Sequence, residues 1–211
     1  MPSIADIRKE YKMQTLFETD VDADPIMQFG KWWDEAMLSD IDEVNAMTLA
    51  TATADGIPSA RIVLLKEYNA QGFVFFTNYK SHKGVEMEEN PKASLVFFWK
   101  ELERQVRICG AIDKIPASAS DAYFSSRPHE SQIGAWASEQ STVIADRAVI
   151  EERSAKYQQQ FGENVPRPEW WGGYLVKPTI IEFWQGRPGR LHDRIRYSLE
   201  NGVWKIERLA P

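Results

Sequence analysis

The sequence predicts a mainly β protein, an antiparallel barrel, closed or partly closed, with helices packed outside it. Three observations carry that prediction. Seven or so short runs rich in β-branched and aromatic residues are separated by turn residues. The helical segments do not alternate with the strands as a βαβ fold requires. Neither G-x-G-x-x-G nor G-x-x-x-x-G-K-[ST] occurs. The 211 residues, 43% hydrophobic and 12% aromatic, suffice for a sizeable core. One domain over 25–211 is expected, preceded by a flexible N-terminal arm over 1–24.

The elements follow in order. Asp24-Pro25 reads as an N-cap followed by proline at the first helical position, so a helix is expected over 25–38, with Ile26, Phe29, Trp33 and Met37 on one face. From Met47 the texture turns to strands: 48–53, a turn at Ala54-Asp55-Gly56, then 59–66 and 73–77, an antiparallel meander. A short helix over 82–89 ends at Asn90-Pro91 and leads to strands over 93–99 and 105–112. Helices are expected over 118–125 and 143–161. Strands over 173–176, 179–184, 194–199 and 203–209 close the chain, the last two joined by an Asn201-Gly202 turn.

Composition excludes several classes of function. A net charge of -6 argues against nucleic acid, whose phosphate backbone calls for a basic face, although a local pocket for a small anion remains compatible with it. No run approaches the ~18 apolar residues of a membrane span, and the first residues lack the apolar centre of a signal peptide, so no membrane partner and a cytoplasmic setting are expected. Cys109 stands alone in an apolar stretch and is expected to be inert packing. His82, His129 and His192 show no metal-ligand spacing, and no metal is expected.

Five stretches could carry chemistry. The first, FWQGRPGRLHDRIRY over 183–197, concentrates four arginines and one of three histidines in fifteen positions. As a strand of period two it would set Arg190, His192, Arg194 and Arg196 on one face. A solvated face is the plain reading. The apolar run before the arginines and the suitability of their forked donors for planar or phosphorylated anions favour an anion site. In FFTNYKSHKG, over 75–84, Ser81 can cap a helix whose first turn holds Lys83, a phosphate cradle or simply a capped surface helix, and alone the second reading is favoured. In RIVLLK, over 61–66, Arg61 and Lys66 would face opposite sides of a regular strand, so one ligand reaches both only at a bulge, a strand end or by being extended. Marking strand ends is the plainer account. In YFSSRPHES, over 123–131, Tyr123, Arg127 and Ser131 recur every four residues, and Pro128 interrupts them. A phosphate site and a helix end with a surface arginine stand even there. Finally, Gln105, Gln140 and Ser141 could read an imide or amide edge, and Trp184 could stack on a ring or fill the core.

Taken together, RIVLLK, FFTNYKSHKG, RQVRICG, YFSSRP, EQS, IEFWQGRPGRLHDR and the terminal RLAP occur in the order and spacing of one family. From about Arg8 to Pro211 the sequence closely resembles the pyridoxine (pyridoxamine) 5'-phosphate oxidases, and W-Q-x4-R-L-H-D-R is the most specific element. The resemblance implies an FMN-binding split β-barrel, a homodimer with FMN at the subunit interface. It also implies oxidation of pyridoxine 5'-phosphate or pyridoxamine 5'-phosphate to pyridoxal 5'-phosphate, with O2 giving H2O2. By position it assigns FMN contacts to Arg61, Ile62, Val63, Leu64, Leu65, Lys66, Phe76, Thr77, His82, Lys83, Gln105, Gln140, Ser141, Trp184 and Arg194. Substrate contacts fall on Lys66, Tyr123, Arg127, Ser131, Arg190, Leu191 and His192, with Arg8, Lys9, Glu10 and Tyr11 of the arm closing over the site. Arg190 and His192 are the expected catalytic pair, with His192 or a water assisting loss of the alcohol proton.

Two departures stand out. His82 occupies a position where the family usually has arginine, so the FMN phosphate is expected to be held less tightly or with more pH dependence, and His82→Arg to lower the FMN dissociation constant. Phe76 replaces a frequent tyrosine, harmlessly if the contact is through backbone. The rival expectations are a non-catalytic flavin or pyridoxal phosphate carrier, a flavin reductase on the same barrel, and, least favoured, a nucleic-acid-binding barrel.

Overall fold

The structure is a computed structural model that describes residues 3–6 and 10–211. It is mainly β and antiparallel. Nine strands among the described residues form one hydrogen-bonded sheet: β1 (Ala46–Ala52), β2 (Pro58–Leu64), β3 (Glu67–Asn69), β4 (Gly72–Asn78), β5 (Lys92–Trp99), β6 (Arg104–Lys114), β7 (Trp171–Gln185), β8 (Asp193–Glu200) and β9 (Val203–Arg208). The order is β2-β1-β5-β6-β7-β4-β3, with β8 paired to β7 and β9 to β8. The helices are α1 (Pro25–Met37), α2 (His82–Glu89), α3 (Ala117–Ser125), α4 (His129–Ala137) and α5 (Ala148–Phe161). Among the described residues no helix is long and apolar enough to cross a membrane, and no group of three or more His, Cys, Asp or Glu is placed to hold a metal ion.

The chain packs as two compact units whose boundaries fall inside β1, β5, β6 and β7, where composition gives no sign of a break. The first comprises 1–49, 94–110 and 178–211. Its helix α1 starts where expected, with Asp24 Oδ1 accepting from the Ile26 N–H at 2.8 Å. The buried face is Ile26, Phe29, Trp32 and Ala36, one residue off the expected Trp33 and Met37 beyond the first turn; Met37 is exposed. Phe29 meets Phe97 at 5.3 Å and Trp32 meets Phe183 at 5.2 Å, so the strands choose which side of the helix is covered. Phe29 is fully buried, and its truncation to alanine would cost about 3–5 kcal/mol.

The segment 10–24 is not a free arm. Glu103 Oε2 accepts from the Lys12 and Met13 N–H groups at 2.8 and 3.1 Å, Asp193 Oδ2 accepts from the Leu16 N–H at 3.1 Å, and Arg208 pairs with Glu18 at 2.7 Å. Leu16 is buried. The buried Glu103 and half-buried Asp193 carboxylates, aimed at main-chain donors, tie this stretch to its own unit, a pairing that a polar, aperiodic sequence does not reveal.

The second unit comprises 50–93 and 111–177. Strand β4 pairs with the first half of β7, Phe76 opposite Gly173 and Asn78 opposite Trp171. Helices α4 and α5 meet through Trp136, whose ring lies 5.5 Å from Tyr157 and 4.9 Å from Phe161. Pro128 interrupts the helical path as the sequence predicts, standing in extended backbone at the N-cap position between α3 and α4.

Candidate active site

A cavity of about 920 Å³ lies wholly within the second unit. Arg61, Ile62, Val63, Leu64 and Lys66 line it. Strand β2 ends at Leu64, so Lys66 lies beyond the alternation that would have turned it away from Arg61. Leu65 is buried and does not line the cavity.

Phe76, Thr77, His82 and Lys83 line the next wall. Ser81 caps α2, its Oγ accepting from the Gly84 N–H at 3.3 Å. A Cβ at Gly84 would fall 2.1 Å from the Tyr79 carbonyl oxygen, so only glycine lets the helix start so close to the end of β4. Lys83 is 8% exposed, and its Nζ donates to Thr77 Oγ1 at 3.2 Å, Ser81 Oγ at 3.1 Å and Gln140 Oε1 at 3.1 Å. Burial, helped by the nearby Arg61, pushes its pKa down to about 8, against the pull of Glu86.

Glu86 is buried behind this wall. Its carboxylate accepts from the Thr51 and Ser59 hydroxyls, while Arg61 donates to both hydroxyls from its two terminal nitrogens and approaches Glu86 at 3.3 Å. Each hydroxyl proton thus goes to Glu86 and each hydroxyl lone pair takes an Arg61 N–H, which fixes the guanidinium. Burial raises the Glu86 pKa, but the hydrogen bonds and the His82 and Arg61 charges outweigh it and hold the carboxyl below its ordinary range. His82 Nε2 lies 3.5 Å from Glu86 Oε1.

Tyr123 in α3, Arg127 in the turn and Ser131 in the first turn of α4 all line the cavity. Two helices bent at Pro128 therefore converge where one straight helix would have made a stripe. The Arg127 guanidinium lies 4.6 Å over the Trp171 ring, and its Nη1 is buried with no hydrogen-bond partner. Burial lowers its pKa, and Tyr123 opposes the shift. Gln140 and Ser141, in the loop before α5, complete the lining together with Asn78, Pro128, Gly134, Ala135, Ser138 and Trp171, which the sequence reading did not single out.

The remaining expected residues lie in the first unit. Trp184 sits in β7 opposite Arg194 of β8, and its ring is 4.5 Å from His192. Tyr11 packs on both, 5.8 Å from Trp184 and 6.0 Å from His192. A Cβ at Gly186 would fall 2.8 Å from Tyr11, so glycine makes room for that ring. Gln105 is half-buried in β6, and Glu10 is exposed. Arg8 and Lys9 lie outside the described residues.

The expected cationic strand face over 190–196 is corrected here. Pro188–Arg190 forms a 3-10 turn in which Gly189 and Arg190 have φ of +63° and +62°, and β8 begins only at Asp193. Positive φ at a non-glycine residue is strain that collects at functional sites, and Ser141, at +74°, shares it. Only Arg194 and Arg196 keep the shared face, and both are spent on carboxylates, Glu182 at 2.8 Å and Glu207 at 2.8 Å. Arg190 and Leu191 are exposed. His192 Nδ1 accepts from the Arg187 N–H at 3.1 Å. Burial, with Arg190 adding to it, lowers its pKa below the ordinary 6.5, so the ring is neutral near pH 7 and carries its proton on Nε2.

The donor set in the cavity suits a flavin mononucleotide: Arg61 and Lys83 for a phosphate, Thr77 and Gln140 as neutral polar contacts, and a volume at the upper end of small-molecule sites.

The sequence profile described as pyridoxamine 5'-phosphate oxidase matches residues 33–161, and that of the pyridoxine 5'-phosphate oxidase C-terminal dimerisation region matches 171–211, which supports a homodimer. The chain is 58% identical over 212 residues to the pyridoxine/pyridoxamine 5'-phosphate oxidase of Cupriavidus metallidurans, with 100% of each chain covered. It is 55% identical to that of Nostoc punctiforme, with 99% of each covered. Among solved structures it resembles PhzG from Burkholderia lata in complex with tetrahydrophenazine-1-carboxylic acid, with a TM-score of 0.89 and 31% identity over 95% of this chain and 100% of that one. With matches of this extent across both units, the chain belongs to the pyridoxine/pyridoxamine 5'-phosphate oxidase family of oxidoreductases.

Proposed function

We propose that the protein is an FMN-dependent oxidase that converts pyridoxine 5'-phosphate, or pyridoxamine 5'-phosphate with water consumed and ammonia released, to pyridoxal 5'-phosphate, with O2 reduced to H2O2. One observation carries the reading: a buried arginine donor, Arg127 Nη1, has no protein partner and belongs to a cavity also lined by Lys66, Tyr123 and Ser131. A buried donor left unsatisfied costs about 1–3 kcal/mol, and a ligand phosphate removes that cost.

Arg61, Lys83, Thr77, Gln140 and Ser141 would hold the cofactor, which when bound would supply the two-electron redox chemistry. Lys66, Tyr123, Arg127 and Ser131 take the substrate phosphate and so fix the ring; positioning of this kind can supply several kcal/mol of barrier reduction. His192 offers an Nε2–H donor to the 4' substituent. Its Nδ1 is already engaged by the Arg187 N–H, so it orients the oxygen or nitrogen rather than removing its proton, and a water is the better proton acceptor. Arg190 supplies a cation beside it.

The cavity lining includes none of Gln105, Trp184, Arg190, His192 or Arg194. The proposal therefore includes a second copy: the cavity of one copy is completed by the Trp184-His192 cluster of the other, in the homodimer that the dimerisation region supports.

The test is the visible absorbance of purified, FMN-loaded protein before and after pyridoxine 5'-phosphate is added without oxygen. Bleaching of the flavin band, followed by equal amounts of pyridoxal 5'-phosphate and H2O2 once air is admitted, is the expected result. An unchanged band would sink the oxidase and leave a flavin carrier. The likeness to PhzG favours a second reading, oxidation of a reduced phenazine carboxylate. Bleaching by such a carboxylate and not by the B6 phosphates would select it.

A further inference from the structure

Resting on the substrate assignment above, the arrangement around Trp171 points to a residue with a task of its own. Trp171 opens β7, its N–H donating to the Pro168 carbonyl at 3.0 Å and its own carbonyl accepting from Arg167 Nη1 at 2.7 Å, so its main chain is fixed on both sides. The ring is 7% exposed. It lies nearly parallel to Phe76, at 5.4 Å and 14°, and to Tyr123, at 6.2 Å and 6°, while Phe76 and Tyr123 stack at 3.9 Å. Over it sits the Arg127 guanidinium at 4.6 Å, and Phe124 packs edge-on at 5.2 Å.

Half-buried Arg127 would ordinarily pair with a carboxylate. Among the described residues, only Tyr123 acts electrostatically in favour of its charge. Aromatic faces do the stabilising instead, Trp171 at 4.6 Å and, farther off, Phe124 at 5.6 Å. A π-face attracts the cation without occupying the in-plane N–H groups, which a carboxylate would take and a phosphate needs. A carboxylate would also repel a phosphate dianion.

We propose that Trp171 is a positioning residue for the substrate phosphate: its indole carries the Arg127 guanidinium in place of a counter-ion, and its stack with Phe76 and Tyr123 sets the phenol of Tyr123 beside that guanidinium. Trp171 thereby contributes to discrimination in favour of phosphorylated over unphosphorylated substrates without touching the ligand's reacting end.

The test compares Trp171→Leu and Trp171→Phe with the wild type, each FMN-loaded, reading KM and kcat for pyridoxine 5'-phosphate, the FMN dissociation constant, and the calorimetric dissociation constant of inorganic phosphate. In the leucine variant KM and the phosphate dissociation constant rise together by roughly tenfold, the scale of a desolvated cation–π contact. Meanwhile kcat and FMN affinity stay within about twofold. Phenylalanine, with a weaker π-face, falls between, and it carries the test alone if the leucine variant does not fold. Unchanged phosphate affinity in a folded variant would overturn the proposal, and so would equal losses in kcat, KM and FMN affinity, which would mark general packing. Calorimetry needs no turnover, so it decides the role of Trp171 even if the wild type oxidised nothing, a result that would count against the oxidase reading alone.

Discussion

Two cations of the cavity, Lys83 and Arg127, are held in the opposite way to three arginines of the first unit. In the cavity, Lys83 is held by three neutral oxygens and Arg127 by an aromatic face. In the first unit, Arg194 is paired with Glu182, Arg196 with Glu207 and Arg208 with Glu18 and Asp193. A cation whose partners are all neutral keeps its full charge for an anion, whereas a carboxylate partner offsets part of it, as Glu86 does for Arg61 at 3.3 Å. Density of arginine along a sequence therefore locates an anion site less well than the identity of each arginine's partner.

The largest effect that would break this contrast comes from removing an available charge. Arg127→Ala should lower kcat/KM for pyridoxine 5'-phosphate by about 100-fold, close to 3 kcal/mol, because it removes charge-assisted hydrogen bonds to a buried phosphate. Arg196→Ala, which deletes a half-buried charge already paired with Glu207, should leave steady-state kinetics alone. Equal losses in the two variants would erase the distinction.

A smaller effect is expected at His192. If its Nε2–H is a donor to the 4' substituent, His192→Gln keeps a donor and should retain several-fold more kcat than His192→Phe, whose loss should be about tenfold. The pH profile of kcat should also lack an acid limb at the ordinary histidine value of 6.5, since the ring's pKa lies below it. An acid limb near or above 6.5 that disappears in the glutamine variant would restore the role of proton acceptor.

The smallest effect near neutral pH is a pH dependence. The Lys83 pKa is about 8 in the cavity, and a bound phosphate dianion raises it. Binding therefore takes up a proton above pH 8: FMN affinity is full below about 8 and weakens as pH rises beyond it, by up to about tenfold per unit. Fluorescence quenching titrations from pH 7 to 10 read this, and Lys83→Met should bind more weakly with a flat profile. A flat profile in the wild type would show that this lysine does not hold the phosphate.

Much of this was legible in the sequence, and its failures have physical causes. Asp24-Pro25 and Ser81 announce their helices through local capping, and Asn201-Gly202 announces its turn, because those signals need only neighbouring residues. The resemblance assigned cofactor contacts to Phe76, Gln140 and Ser141, all of which line the cavity, whereas the residue types alone offered Gln140 and Ser141 only as readers of an imide or amide edge. The period-two reading of 190–196 failed because two successive positive φ values keep the chain out of the strand until Asp193. Strand β7 runs unbroken through Pro178 where two strands were expected, since one missing donor does not end a ladder when the flanking residues pair. Glu86 and Trp171 escaped notice because a buried carboxylate and a ring over a guanidinium are defined by contacts across 25 to 44 positions of sequence: Glu86 with Arg61, and Trp171 with Arg127.

Complementation decides whether the cavity of one copy works with the His192 cluster of another. Arg127→Ala and His192→Phe proteins, each impaired alone, are unfolded together, refolded as a mixture and assayed. If each site draws on both copies, every mixed dimer contains one intact site and one doubly impaired site, and activity rises well above that of either parent. If each site lies within one copy, every site in the mixture still carries one lesion, and activity stays at the parental average.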